Sequence, residues 1–236
     1  MPAVPDDPCS VDHFVGLFDR YAELVGAPLR RYLTDRLPAR GRRAVDLGTG
    51  TGQHAVLLAA HFAEVLGVDV SRPMLDHARQ HRSRCNIRYA QRNLLDLSPD
   101  RDGLFDLVFS AFTLHNVGDL PGALAHIRTL VAPAGRVILV DNVDARRRVP
   151  RSWLVQEAFR GFAADLRHRR RPVGEALETL RLGVHPVRLD HVTTEVFEAP
   201  EDFAGHCGRV FRGAEITSMY RALAVNWCAP TSRTAR

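Results

Sequence analysis

The sequence predicts an α/β protein organised around a doubly wound, largely parallel sheet. Three observations carry that prediction. Short β-type runs alternate with helical stretches between residues 43 and 141. The first of those runs ends in the turn Gly48-Thr49-Gly50-Thr51-Gly52, and a helical pattern begins directly after it. The chain's 236 residues, 45% hydrophobic and 25% charged, suffice for one well-buried core without metal or disulfide staples.

The elements follow in order. Val11, Phe14, Val15, Phe18, Ala22 and Val25 fall on one helical face, with Ser10 as the N-cap. A second short helix covers Leu29 to Leu37. Strands are expected at Arg43–Leu47, Glu64–Asp69, Asn86–Ala90, Phe105–Ser110 and Arg136–Asp141, with helices near 53–62, 72–83 and 119–131. From Pro150 to about Arg181 the pattern is helical again, through Trp153, Leu154, Ala158, Phe159, Phe162 and Leu166. Two further strands are expected at His191–Phe197 and Tyr220–Trp227, around a helix starting near Pro200. No repeat interrupts this order, so the chain reads as a single domain over 1–236. It divides into N-terminal lid helices (1–40), a core (41–149), a helical insertion (150–187) and C-terminal strands (188–236).

Composition narrows the function classes. No apolar run approaches the roughly 20 residues of a membrane helix, and the first ten residues carry Asp6, Asp7 and three prolines instead of a basic, then apolar leader. A cytoplasmic protein without membrane partners is therefore expected. Cys9, Cys85, Cys207 and Cys228 are far apart, which fits free thiols, and no metal site is expected. All 32 basic residues are Arg, as a GC-rich genome would favour. The net charge of +5 raises nucleic acid as a partner. Against that, the run Arg167-His168-Arg169-Arg170-Arg171 lacks the interleaved aromatics of a base-stacking surface and reads as a solvated helix end.

The segment Ala44-Val45-Asp46-Leu47-Gly48-Thr49-Gly50-Thr51-Gly52 carries the most chemistry. Glycine lets the backbone turn sharply and approach a ligand, and the helix that follows offers free N–H donors. A dinucleotide fingerprint would place its third glycine at position 53, which is Gln53. The pattern D-x-G-x-G-x-G instead resembles motif I of the class I S-adenosylmethionine-dependent methyltransferases. The resemblance runs on in register through Gly67-Val68-Asp69, Ser71-Arg72-Pro73-Met74-Leu75, Asn93-Leu94, Phe105 to Ser110 with Leu114-His115-Asn116-Val117, and Leu130 to Arg136, where Ala134 replaces a glycine. It implies a seven-stranded sheet in the order 3-2-1-4-5-7-6 with Tyr220–Trp227 antiparallel, S-adenosylmethionine as cofactor and S-adenosylhomocysteine as product.

The cofactor residues implied are Asp46, Gly48, Thr49, Gly50, Gly52, Asp69, Val70, Met74, Asn93, Leu94 and Ser110. A carboxylate at the end of the second strand suits both ribose hydroxyls, so Asp69 heads this set. Asp46 orders the loop or meets the methionyl ammonium. Asn93 stands where the family more often has Asp, and offers an amide to adenine.

Methyl transfer needs alignment and exclusion of water more than covalent help. Where the acceptor must lose a proton, His115 is the catalytic candidate, an imidazole at the mouth of the site; a positioning or packing role is the favoured alternative. Phe14, Phe18, Tyr21, Trp153 and Phe159 are candidates for an apolar acceptor lining, with His13 and His185 as polar additions. The expected function is methyl transfer to an O, N or C atom of a small molecule, plausibly in bacterial secondary metabolism. The sequence admits a homodimer. Two rivals are a non-methylating reaction on the same fold, such as a cyclisation or elimination, and a non-catalytic binding module that uses the Arg cluster for an acidic partner.

Overall fold

The computed structural model describes residues 8–231, with side chains from residue 14 onward. The Ser10 cap, the Val11 packing position, the His13 contact and the Cys9 thiol lie outside the described side chains. Two helices lead in, α1 (Pro8–Val25) and α2 (Ala27–Thr34). There follow β1 (Gly41–Leu47), α3 (Gln53–Ala59), β2 (Phe62–Asp69), α4 (Arg72–His81), β3 (Ile87–Gln91), the single-turn α5 (Pro99–Asp102), β4 (Phe105–Ala111), α6 (Leu120–Thr129) and β5 (Val131–Asn142). The insertion is α7 (Arg151–His168), α8 (Val173–Gly183) and α9 (Pro186–Thr194), and the chain closes with α10 (Pro200–Val210), β6 (Glu215–Met219) and β7 (Ala222–Cys228).

The sheet has seven strands in the order β3-β2-β1-β4-β5-β7-β6. Strands β1 to β5 run parallel, and β7 is antiparallel to both neighbours, β5 and β6. That is the order and the odd strand the sequence motifs implied. Near-continuous apolar runs such as Phe105 to Phe109 suit strands covered on both faces. One face packs Leu120, Leu124 and Ile127 of α6 with Phe203, Cys207 and Phe211. The other packs Leu29, Tyr32 and Leu33 of α2 with Ala55 and Leu58 of α3. Each fully buried Phe or Leu contributes about 1.5–3 kcal/mol.

Two expectations fail, for a shared reason. Residues 191–197 do not form a strand: the stretch up to Thr194 is the end of α9. Val192, Thr193, Thr194 and Val196 carry β-type chemistry, but Pro186 opens a helix whose Leu189 is buried on Val149, Leu154 and Phe197, and that packing overrides local preference. The helical insertion therefore runs to 194, past the expected boundary at 187, and α10 is the helix expected near Pro200. The missing strand is β6, an edge strand of mostly polar, exposed residues that alternation does not reveal. Near the start of β5, where its pairing with β4 shifts register, Ala134 holds φ at +60°, the left-handed conformation its glycine counterpart takes freely.

Candidate active site

The parallel strands end along one edge of the sheet, with Leu47 beside Val68 and Ser110, and Val140 beside Ala111. The loop leaving β1 holds Gly48, Gly50 and Gly52 at φ of +72°, +51° and +83°. Their surroundings differ. A Cβ on Gly48 would strike Thr113, and one on Gly52 the Tyr89 hydroxyl, whereas one on Gly50 would enter open space. Gly48 and Gly52 permit close packing; Gly50 leaves bare backbone facing outward.

Three carboxylates fix this loop. From beneath, buried Asp46 accepts the Thr49 hydroxyl at 2.7 Å. Burial pushes its carboxyl up to about 7, opposed by that hydrogen bond. From the side, Asp69 at the end of β2 accepts the N–H of Gly50 and the N–H of Ser71, each at 2.8 Å. Burial raises its carboxyl above the ordinary range, against those N–H donors. From above, Asp19 of α1 accepts the Thr51 hydroxyl at 2.6 Å, the Gln53 amide at 2.8 Å and the Arg82 guanidinium at 2.8 Å, with His77 at 3.3 Å. Burial works against the Asp19 charge, and these hydrogen bonds, Arg82 first, still hold its carboxyl low.

A second polar group sits beyond β4 and β5. His115 donates its backbone N–H to Asp141 at 2.7 Å, and its Nδ1 lies 2.6 Å from the same carboxylate. Its Nε2 lies 3.3 Å from Glu195, just past α9, and 3.1 Å from the Asn116 amide. Glu195 also meets His191 at 3.2 Å. Only 4% of the His115 side chain is exposed. Burial disfavours its charged form, but hydrogen bonds to Asp141 and then Glu195 overcome that and hold the ring at about 10.

Comparison with known proteins decides what this edge belongs to. Residues 45–139 match the family described as "Methyltransferase domain". A demethylmenaquinone methyltransferase of Deinococcus radiodurans is 36% identical over 186 residues, covering 77% of this chain and 70% of that protein. The chain belongs to the class I S-adenosylmethionine-dependent methyltransferases. A demethylmenaquinone methyltransferase of Thermus thermophilus is 36% identical over 116 residues, 48% of this chain and 52% of that one. The chain spans about half the length of several curated relatives it matches. In fold, the complex of DhpI with S-adenosylhomocysteine superposes with a TM-score of 0.60 at 19% identity, covering 94% of this chain and 96% of that one.

The residues present in this methyltransferase fit S-adenosylmethionine, since bare backbone at Gly50 lies beside a strand-end carboxylate, Asp69. The other expected cofactor residues divide. Val70 is 43% exposed, and Met74 is half-buried. Asn93 is exposed, with its carbonyl oxygen accepting the Leu95 N–H, so its amide NH2 is the group left to face a base. Three of them turn their side chains into the protein. Leu94 is buried in the core, Thr49 turns its hydroxyl inward to Asp46, and Ser110 is fully buried, donating to the Leu47 carbonyl at 2.9 Å. Each supports the site from below; their side chains do not line it. His115, for which positioning or packing is favoured over a base, has both ring nitrogens against carboxylates, Nδ1 on Asp141 and Nε2 on Glu195, and ties the end of the insertion to the strand ends.

Among the lid candidates, Phe14 packs edge-on to His191 at 5.4 Å and near Phe18 at 6.4 Å. Tyr21 lies under the Arg188 guanidinium at 4.3 Å. Trp153 is engaged elsewhere: Arg146 and Arg221, both paired to Asp144, lie 4.3 and 4.5 Å from its ring centre. Phe159 is 54% exposed. Sequence reasoning missed Asp19, Asp141, Glu195, His191 and Phe112, an exposed aromatic held at φ +55° just past β4. Two signals were there to be read. Asp141 ends a strand as Asp69 does, and His191 and Glu195 stand four apart.

Asp69→Ala is expected to weaken S-adenosylhomocysteine binding roughly ten- to a hundredfold, because a charge-assisted hydrogen bond contributes about 1.5–3 kcal/mol. Calorimetry giving wild-type affinity for the folded variant would remove the ribose assignment.

Proposed function

We propose that this methyltransferase transfers a methyl group from S-adenosylmethionine to an O, N or C atom of a small-molecule acceptor, leaving S-adenosylhomocysteine. One observation carries the reading: the open Gly50–Asp69 corner lies under α1, which Asp19 fastens to the same loop. Bound there, the cofactor supplies an electrophilic methyl on a sulfonium. The chain's own work is to hold and enclose. Asp69 accepts the ribose hydroxyls, the Asn93 amide meets adenine, and Phe14, Phe18 and Tyr21 of α1 face the acceptor and exclude water.

A small acceptor is supported by the relatives' names, two of which are demethylmenaquinone methyltransferases. The Arg-only basic set and the three-helix insertion extend the proposal to bacterial secondary metabolism, in a cytoplasmic enzyme. Among the described residues no helix is long and apolar enough to cross a membrane. The test is transfer of labelled methyl from S-adenosylmethionine to a panel of hydroxylated, amino and carbon-acid arenes. Tight S-adenosylhomocysteine binding without any transfer would favour a non-methylating role.

Nucleic acid is not part of the proposal. Arg167, Arg169 and Arg170 are exposed, whereas Arg171 pairs with Asp165 at 2.9 Å and donates to the Leu24 carbonyl. The discriminating variant therefore changes Arg167, Arg169 and Arg170 to Gln and keeps Arg171. It is expected to bind S-adenosylhomocysteine as wild type does, and neither protein should shift RNA at physiological salt. An RNA shift lost in the variant would revive the nucleic-acid reading.

A further inference from the structure

The buried group beyond β4 is unbalanced in charge. It holds two carboxylates, Asp141 and Glu195, and one imidazolium, His115, so a second cation beside it would bring the group to neutrality. The outer member of the group is His191 on α9, one helical turn before Glu195. Its Nε2 lies 3.2 Å from the Glu195 Oε1 that also meets His115. Glu195 has only 10% of its side chain exposed, whereas His191 has 31%. Donating Nε2–H to Glu195 fixes one tautomer and leaves the Nδ1 lone pair with no hydrogen-bond partner among the described residues. The side of α1 against this ring presents Phe14, an apolar residue of the expected acceptor face.

We propose that His191 is the catalytic residue that removes the acceptor's proton, that Glu195 is the positioning residue that orients it, and that the acceptor attacks through a phenolic or enolic hydroxyl. The proposal rests on the methyl-transfer reading and deepens it. A neutral amine attacks with its lone pair and sheds its proton afterwards, so a poised base is most useful to a hydroxyl. The step balances. The hydroxyl proton passes to Nδ1, the oxygen's electron pair forms the bond to the methyl carbon, and the C–S bonding pair returns to sulfur to give the neutral thioether. The new imidazolium then lies against Glu195, in a group now without net charge. The charged groups facing His191 are Glu195, which caps the end of its helix, and, through that carboxylate, His115 and Asp141 from beyond β4 and the end of β5.

Two readouts test this on the full chain, the first with S-adenosylhomocysteine bound and the second with S-adenosylmethionine as methyl donor. Nitrogen-15 spectra of the imidazoles at pH 8 are expected to show His191 protonated on Nε2 and bare on Nδ1. The Nε2 proton should move upfield in Glu195→Gln as the carboxylate is lost. A proton on Nδ1 in wild type would overturn the proposal. The second readout is turnover with phenols, catechols and hydroxynaphthoquinones, set against matched anilines. Methyl is expected on oxygen, and His191→Gln should lose at least about a hundredfold in kcat at pH 7, with S-adenosylhomocysteine affinity unchanged. That deficit should shrink as pH rises, because the acceptor hydroxyl then ionises unaided. A deficit independent of pH, a loss under twofold, or transfer to anilines alone would overturn the proposal. Absence of S-adenosylhomocysteine binding in wild type would defeat the methyl-transfer reading itself, whereas binding with the wrong tautomer defeats only the His191 assignment.

Discussion

Gly50→Val is expected to lose at least a hundredfold in affinity for S-adenosylhomocysteine while remaining folded. Two effects add. At φ +51° a residue with a Cβ is strained by roughly 1–2 kcal/mol, and a β-branched one more so. The larger effect is steric, because the new side chain would stand in the open space that the backbone at 50 faces. Among the described residues nothing beyond its chain neighbours lies within 4 Å of that Cβ, so the melting temperature should fall only by what the backbone strain accounts for. Calorimetric titration together with thermal unfolding separates the two. Normal binding in this variant would mean that the cofactor lies elsewhere. Gly48→Val should behave differently, failing by misfolding, since its side chain would collide with Thr113.

His115→Ala is expected to cost about 3–5 kcal/mol of stability, because it leaves Asp141 and Glu195 buried without their cation. For a domain of this size that is a fall in Tm of roughly 6–20 °C. The pH dependence is specific. The ring's pKa is raised from 6.5 to about 10 in the folded state, so its contribution is complete below pH 6.5 and lost as pH rises towards 10. Wild type and variant should therefore differ most near pH 6 and converge near pH 10. Glu195 supplies the opposite limb. Burial raises its carboxyl, but His115 and His191 together bring it down to about 2, so its contribution holds above pH 4.5 and fades as pH falls towards 2. A stability gap between wild type and His115→Ala that widens with pH would contradict this pairing. His115→Gln should leave the acidic limb of the activity profile in place, because the proposed base is His191.

What was legible in the sequence followed from how local its signals were. Strands β1, β2, β4 and β5 stood out because each has an apolar run buried on both faces, and the glycine turn because its residues are consecutive. Asp46 and Asp69 could be placed for the same reason: each sits on a strand next to that turn. Residues 191–197 misled because their β-type chemistry is overruled by Leu189 and Phe197 packing on Leu154, 35 and 43 positions away in sequence. The polar partners of the site were hidden for a similar reason. Asp19 meets Thr51 across 32 positions, and Glu195 meets His115 across 80. Their meeting depends on how helices far apart in the chain come to rest on the strand ends, which no periodicity encodes.

Helix α1 turns two faces to two different tasks. Phe14, Phe18 and Tyr21 recur along one side, and Asp19 projects from another to hold Thr51, Gln53 and Arg82. On the proposed acceptor lining, acceptor choice and cofactor affinity are not separable traits in this enzyme. A change of acceptor range by exchanging α1 with that of a relative would also exchange the residue at 19. A graft without an acid there would strand the Arg82 guanidinium and loosen the glycine loop it helps to hold. Variants selected for new acceptors should accordingly vary freely at 14, 18 and 21 and keep aspartate at 19, so that the two faces of one helix drift at different speeds.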